Sequence, residues 1–145
     1  MNDDLAQATA DKVRDEMFAR DHASQGLGIQ VLELTPGVAT LSMTVREDML
    51  NGHRICHGGL IAALADSAFA FACNSGNEMT VASGFSIDFC APAHLGDVLT
   101  ARCAELVRGK RTGVYDAEIV NQKGERIALF RGRSYALQGR VVVAR

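Results

Sequence analysis

The chain has 145 residues, a formal net charge of −2 and a hydrophobic fraction of 48%. This length can supply one hydrophobic core, so we expect a single domain over residues 1–145. A net charge this close to zero does not indicate a basic surface that would bind nucleic acid. The chain has no Trp and only two Tyr, which argues against stacking of bases on aromatic side chains. We therefore expect no nucleic-acid partner.

The cysteines and the N-terminus bear on the cellular compartment. Cys56, Cys73, Cys90 and Cys103 form no CxxC pair and are typical of reduced thiols. The first residues, MNDDLAQATADKVRDEMFARDH, lack the apolar stretch of a signal peptide. The longest apolar run, about 17 residues, is too short and too interrupted to span a membrane. We expect a cytoplasmic protein with no membrane partner.

The first predicted element is an N-terminal helical segment over 1–25. Apolar residues recur at helical spacing between residues 4 and 20, and the sequence SQGLG is expected to end the segment. The expected inner stripe of this helix consists of Leu5, Ala8, Val13, Met17 and Phe18.

Two strands are predicted next. Residues 29–34 form the first strand, and TPG supplies a tight turn. The second strand is half-buried, because its apolar residues alternate with Thr and Ser: Ala39, Leu41, Met43 and Val45. The segment 47–57 is expected to be an irregular polar loop.

An apolar run then predicts a central helix over 58–74, and four strands follow it. The first of these has Val81, Phe85, Ile87 and Phe89 on one face. The others cover 97–107, 113–121 and 126–137, the last two joined by the turn NQKG as a hairpin. Consecutive long strands around one apolar helix predict an α+β fold in which an antiparallel sheet wraps the central helix.

Gly58 and Gly59 stand where the loop meets this helix. The first amides of a helix have no intrahelical acceptor and carry a partial positive charge, and glycine lets another molecule approach them. Such an end can stabilise negative charge that develops on an oxygen. The alternative is that the glycines only permit tight entry of the backbone.

Asp66 is a carboxylate in the middle of the apolar helix. Its neighbours at i±3 and i±4 are Ala62, Ala63, Phe69 and Ala70, none of which can neutralise it. A buried, unpaired carboxylate has a raised pKa and suits general-base or nucleophilic chemistry. Two alternatives stay open: Asp66 lies on a wetter stripe with Ser67, or a distant strand donates hydrogen bonds to it.

Helix geometry places Gly58 and Asp66 too far apart for one reacting carbonyl. Eight residues at ~1.5 Å per residue separate them by roughly 12 Å along the axis. If both serve one reaction, they come from two subunits whose central helices face each other across a twofold axis. This spacing predicts an obligate dimer with two composite sites.

The loop before the helix carries Asn51, His53, Cys56 and His57. The run HRICH superficially offers three soft metal ligands, but no further ligand cluster is present, so we expect no metal. His57 is expected to order the helix entry or to contact substrate. Asn51 holds a water or a carbonyl, or alternatively caps a turn.

These residues carry a family resemblance. NGHRICHGG followed by Asp66 resembles the hotdog-fold acyl-CoA thioesterases. The stretch GKRTGVYDAEIVNQKGERIALFRGRS is similar to the phenylacetic-acid-degradation branch, the PaaI group. The resemblance covers roughly residues 10–138 and implies a hotdog fold, with subunits paired edge to edge into a dimer and usually a dimer of dimers, that is, a homotetramer.

The resemblance also implies roles for particular residues. Asp66 takes the position of the nucleophile or general base, and Gly58 that of the amide that polarises the thioester carbonyl, with Gly59 beside it. Asn51 and His57 match the loop amide and the histidine before the glycine. Some relatives have a water-orienting serine on the next strand. Ala82 falls at that position here, and the adjacent Ser83 is kept as a candidate.

Coenzyme A carries phosphates, so cations are expected along its exit path. Arg108, Lys110 and Arg111 cluster in one turn, with Arg131 and Arg133 on the following hairpin. A solvated turn is the alternative.

The leading hypothesis is hydrolysis of an aryl-acetyl-CoA thioester without a cofactor, coenzyme A being part of the substrate. The alternatives are a non-catalytic acyl-CoA-binding dimer and a hydroxyacyl-CoA dehydratase of the same fold.

Overall fold

The computed structural model describes residues 2–143, which form three α-helices and six strands. In chain order the elements are α1 (Asp3–Arg20), α2 (His22–Gly26), β1 (Gln30–Thr35), β2 (Val38–Thr44), α3 (Gly58–Asn74), β3 (Glu78–Phe89), β4 (Val98–Arg108), β5 (Thr112–Val120) and β6 (Arg126–Arg140). A 3₁₀ turn at Glu47–Met49 precedes α3. The strands make one antiparallel sheet of order β1-β2-β4-β5-β6-β3. The predicted α+β hotdog fold is confirmed.

The sheet wraps α3, which contacts all six strands as well as α1 and α2. Because protein surrounds most of the helix, apolar residues are needed on nearly every side of it. The predicted inner residues of β2 are confirmed as buried: Ala39, Leu41, Met43 and Val45. A Cβ atom at Gly132 would lie 2.8 Å from the Phe69 ring, so glycine in β6 is what lets the sheet approach the helix.

The predicted inner stripe of α1 is partly wrong. Leu5 is 60% exposed and Ala8 is also exposed, whereas Ala10 and Val13 are fully buried and Met17 packs beside them. Residues 10, 13 and 17 share one face at ~100° per residue, and Leu5 and Ala8 lie off that face. The position of the sheet decides which face of α1 is buried, and the local sequence pattern does not specify that position.

The prediction that SQGLG ends the N-terminal helical segment is confirmed, since α2 ends at Gly26. The segment is two helices rather than one, because the chain breaks at Asp21. The Asp21 carboxylate accepts a hydrogen bond from the Ser24 N–H at 3.0 Å and so caps α2. A capping side chain therefore starts a second helix within the predicted helical segment.

The predicted face of β3 is wrong at Val81. The pairing register with β6 shifts between Ala82 and Gly84, so that Ser83 is an extra residue in a β-bulge. Opposite residues of a ladder share a face, and Val81 pairs with the exposed Tyr135. Val81 therefore points outward, while Phe85, Ile87 and Phe89 share the opposite face, as predicted for these three.

β3 also lies at one edge of the sheet. Within residues 2–143 it pairs with β6 alone, which leaves the hydrogen-bonding groups of its other side without a strand partner. Four of its large apolar side chains are between 39% and 52% exposed: Met79, Val81, Phe85 and Phe89. A long apolar edge strand is a template for pairing with another strand.

None of the helices within residues 2–143 combines the length and the apolar composition that crossing a membrane requires.

Candidate active site

A tightly hydrogen-bonded loop leads into α3. The Asn51 Oδ1 atom accepts hydrogen bonds from the N–H groups of His53 at 2.9 Å and Ile55 at 3.3 Å. The Cys56 N–H donates to the Ala93 carbonyl at 2.8 Å, which fastens the loop to the connection after β3. The turn-cap interpretation of Asn51 is therefore correct for its oxygen. Its amide nitrogen makes no hydrogen bond to residues 2–143.

Among the described residues, no side chain caps the N-terminus of α3. His57 is the N-cap residue, and its exposed side chain makes no capping hydrogen bond. Within residues 2–143 the N–H groups of Gly58 and Gly59 have no acceptor, because the first helical bonds run from Leu60 and Ile61 to the His57 carbonyl. Two unpaired amides at the positive end of a helix form a site for a developing oxyanion.

The side chain of Phe89 explains one of the two glycines. A Cβ atom at Gly58 would lie 2.9 Å from the Phe89 ring, closer than real contacts allow, whereas a Cβ at Gly59 would meet nothing within 4 Å. Gly58 is therefore needed for packing as well as for access to its amide. Both interpretations of this glycine hold together.

A pocket of about 550 Å³ opens at this end of the helix. It brings together two residues singled out from the sequence, Asn51 and Gly58, and adds others that no local pattern indicated. The added lining residues include Ile61, Phe89, Cys90 and Pro92. These walls are mostly apolar, as a pocket for an acyl chain requires.

Asp66 lies half-buried two turns further along α3 and outside this pocket. Burial raises the pKa of its carboxyl group, and the negative charge of Asp21 raises that pKa further. No donor within residues 2–143 hydrogen-bonds to the carboxylate, so no distant strand donates to it as one alternative supposed. A carboxylate with a raised pKa and no hydrogen-bond donor within residues 2–143 can serve as a proton acceptor.

Ser83 is the candidate substrate contact on the strand after α3. As the bulge residue of β3 it is exposed, and its hydroxyl donates to the Arg133 carbonyl at 3.1 Å. Ala82 takes the inward position instead, because it pairs with the buried Ser134. Within one chain, nothing here supports Ser83 as a substrate contact.

The basic turn lies at the opposite end of α3 from Gly58. The Arg108 guanidinium approaches Gly76, just beyond the helix, and pairs with Glu105 at 3.6 Å. Lys110 and Arg111 line a separate groove of about 490 Å³. A single chain therefore does not join these cations to the pocket at Gly58.

The two arginines of the hairpin are placed differently. Arg131 makes a bidentate pair with Asp116 at 2.7 and 2.9 Å, so its guanidinium is already engaged, and this pairing holds the pKa of Asp116 below its usual range. Arg133 lies beside Gly84 on the exposed face of β6.

Within residues 2–143 no three His, Cys, Asp or Glu side chains converge as metal ligands would. Cys56 is buried and burial raises the pKa of its thiol, whereas His53 and His57 are exposed. The three side chains of the HRICH run therefore point to different environments: Cys56 is in the core, and His53 and His57 are in solvent.

Comparison with known proteins identifies the family. The family model described as the thioesterase superfamily matches residues 53–128, which include Gly58, Asp66 and β3. The chain belongs to the thioesterase superfamily.

Within this superfamily, the chain is similar to PaaI proteins of two organisms. The chain is 48% identical over 125 residues to "Acyl-coenzyme A thioesterase PaaI" of Escherichia coli (strain K12), covering 86% of this chain and 89% of that protein. The solved structure of E. coli PaaI from the phenylacetic acid degradation operon matches with a TM-score of 0.91 and 46% identity, covering 92% and 97%. A mutant structure of the phenylacetic acid degradation protein PaaI from Thermus thermophilus matches with a TM-score of 0.78 and 39% identity, covering 81% and 100%.

Proposed function

We propose that this protein is an acyl-CoA thioesterase that hydrolyses phenylacetyl-CoA, or a ring-hydroxylated derivative, to the free acid and coenzyme A. The observation that carries the proposal is the helix α3 itself. It presents glycine amides that have no acceptor within residues 2–143 at one end, and a half-buried carboxylate of raised pKa at its middle. The similarity to PaaI proteins supports the acyl-CoA class and the place in phenylacetate degradation. The chemistry needs no cofactor.

In the proposed reaction Asp66 acts as general base. It takes a proton from a water molecule, and the resulting hydroxide oxygen adds to the thioester carbon. The carbonyl oxygen becomes an oxyanion that the amides of Gly58 and Gly59 stabilise. The tetrahedral intermediate then breaks its C–S bond, and coenzyme A leaves as a thiolate that takes up a proton.

The two halves of this site come from two copies of the chain. Gly58 and Asp66 are eight residues apart on one helix, roughly 12 Å along its axis, so one carbonyl cannot contact both. The exposed edge of β3 offers the means of pairing two sheets. A homodimer built this way, alone or in a dimer of dimers, places the Gly58 amide of one chain opposite Asp66 of the other.

The same pairing assigns the basic turn to the coenzyme A phosphates. Arg108, Lys110 and Arg111 lie at the C-terminal end of α3, far from the Gly58 of their own chain. In an antiparallel arrangement of two α3 helices they approach the Gly58 end of the partner. Their charges would then bind the phosphates at the mouth of the composite site.

The variant Asp66→Asn tests the catalytic assignment. We expect release of free thiol from phenylacetyl-CoA, followed with a thiol-trapping dye, to fall by about 10²–10⁴-fold. Because the folded-state pKa of Asp66 is raised, its ionised form costs stability as pH rises through that pKa, so Asp66→Asn should melt no lower than the wild type at pH 7. Near-normal hydrolysis by this folded variant would rule out the assignment.

Mixing two inactive variants tests the composite site. Gly58→Val keeps Asp66, and Asp66→Asn keeps Gly58, so a hybrid dimer contains one intact site and one doubly altered site. Random mixing after co-refolding should restore about one quarter of the wild-type activity, since half of the dimers are hybrids and each has one of two sites intact. Because a side chain at Gly58 meets the Phe89 ring, the folding of the Gly58→Val subunit is checked by circular dichroism. No recovery in a mixture shown to contain hybrids of folded subunits would place both groups in a single chain's site.

A further inference from the structure

Asp21 lies at the junction of α1 and α2, where hydrogen bonds hold its side chain. Its carboxylate accepts two hydrogen bonds from one residue, from the Ser24 N–H at 3.0 Å and from the Ser24 hydroxyl at 2.6 Å. Ser24 is 2% exposed, and Asp21 is partly buried beside it. The position of the carboxylate is thus determined by the fold.

A second serine links this carboxylate to the central helix. The Ser24 Oγ atom lies 2.9 Å from the Ser67 Oγ atom of α3, across 43 residues of sequence. A carboxylate oxygen can only accept, so Ser24 gives its single hydroxyl proton to Asp21, and Ser67 must donate to Ser24. The chain of donors runs from Ser67 through Ser24 to Asp21, and Ser67 directly follows Asp66.

The field of Asp21 therefore acts on Asp66. Within residues 2–143 Asp21 is the charged side chain whose field raises the pKa of Asp66, in addition to the larger effect of burial. A nearby like charge disfavours the ionised form of a carboxyl group.

Other titratable groups around α3 do not compete with this effect. Four of them are buried with raised pKa values: Cys56, Tyr115, and Cys73 and Cys103, the last two to about 12. The remaining ones are paired or at least partly exposed: Asp11 with Arg14, Glu105 with Tyr115 and Arg108, the partly exposed Glu78, and the exposed His22 and Glu33.

We propose that Asp21 is a positioning residue of the active site, whose negative charge, tied to α3 through Ser24 and Ser67, makes Asp66 a stronger proton acceptor. This inference rests on the proposed thioesterase function and deepens it. The N-terminal helices thereby take part in catalysis without touching substrate. A base of higher proton affinity removes a proton from water more readily, while it loses activity at a higher pH on the acidic side.

The test is the pH dependence of kcat/KM for Asp21→Asn. Asparagine also caps helices, so α2 is expected to persist. Removal of the charge should move the acidic limb of the profile to lower pH, so the ratio of variant to wild-type kcat/KM rises as pH falls. Asp15→Asn is the matched control, since it removes the same charge from an exposed position on α1 and should leave the limb in place.

A second readout does not depend on activity. The Asp66 carboxyl carbon, labelled with ¹³C and assigned with Asp66→Asn, can be titrated by NMR in the intact protein. Its midpoint should fall in Asp21→Asn and stay constant in Asp15→Asn. Ser24→Ala keeps the charge of Asp21 but breaks its tie to Ser67, and it should lower the midpoint in the same direction by a smaller amount.

An unchanged midpoint and limb in Asp21→Asn would overturn the proposal, and an unchanged midpoint in Ser24→Ala would overturn the role of the serine bridge. Failure of the proposed function looks different, because the wild type would then release no thiol at any pH while the NMR titration could still be measured.

Discussion

Two loops of this protein are built by the same hydrogen bonds, and only one of them lies at the candidate active site. In both, an asparagine N–H donates to the carbonyl of residue i+4, the N–H of residue i+3 donates to the asparagine carbonyl, and Oδ1 accepts from residues i+2 and i+4. The site loop covers 51–55 and the hairpin loop covers 121–125. The asparagine oxygen is thus a structural acceptor in both places.

The loops differ at the residue that needs a left-handed backbone. The hairpin loop has Gly124 there, at φ 79°, whereas the site loop has Arg54 at φ 60°. The left-handed region costs a residue with a side chain roughly 1–2 kcal/mol. The hairpin loop therefore has the residue that costs least in the left-handed region, and the loop beside the pocket does not. Such strained residues are common where function constrains the backbone.

The comparison separates two roles of Asn51. Because its oxygen has the same two bonds as that of Asn121, only its amide nitrogen is available to a substrate in the pocket that Asn51 lines. The hydrogen bonds within the two loops do not distinguish Asn51 from Asn121. Asn51 is a candidate for catalysis because it lines the pocket at the N-terminus of α3.

The largest expected effect on stability and activity comes from removing the side chains of Asn51 and Asn121 one at a time. Asn51→Ala and Asn121→Ala each leave two loop amides without an acceptor and should each lower the free energy of unfolding by about 1–2 kcal/mol. Only Asn51→Ala should also reduce kcat/KM for phenylacetyl-CoA, by about a hundredfold. Urea denaturation and thiol-release assays measure both. Equal catalytic loss in the two variants would mean that Asn51 acts only by shaping the loop.

A smaller effect is expected when the acceptor is kept and the donor is removed. Asn51→Asp retains an oxygen for the two amides but replaces the NH₂ group, so we expect stability near that of the wild type and kcat/KM lowered about tenfold, or ~1.4 kcal/mol. Asn121→Asp makes the same exchange in the hairpin loop and should leave kcat/KM unchanged. Full activity of Asn51→Asp would remove the amide nitrogen from the site.

The smallest effect concerns the backbone. Arg54→Gly should relieve the left-handed strain and raise the free energy of unfolding by up to about 1 kcal/mol, part of the gain being offset by the entropy of glycine in the unfolded chain. Gly124→Ala should lower it by about 1 kcal/mol, for the opposite reason. Denaturation midpoints measure both. A stability loss in Arg54→Gly would show that contacts of the Arg54 side chain outweigh the strain.

Much of the fold could be predicted because its signals are local. The alternation of Ala39, Leu41 and Met43 follows from the period of a strand, and the turn before β6 follows from its Asn and Gly residues. The outward face of Val81 could not be predicted, since a single extra residue at Ser83 reverses the alternation before it. The buried face of α1 likewise depends on where the sheet lies.

The sequence by itself determined that Gly58 and Asp66 stand eight residues apart on one helix, and hence that one chain cannot bring both to one carbonyl, because helical rise is a property of the backbone. The tertiary structure alone decided that Phe89 covers Gly58 and that Asp21 reaches the turn of Asp66 through Ser24 and Ser67. These contacts join residues far apart in the chain, and the packing of whole elements creates them without any local pattern.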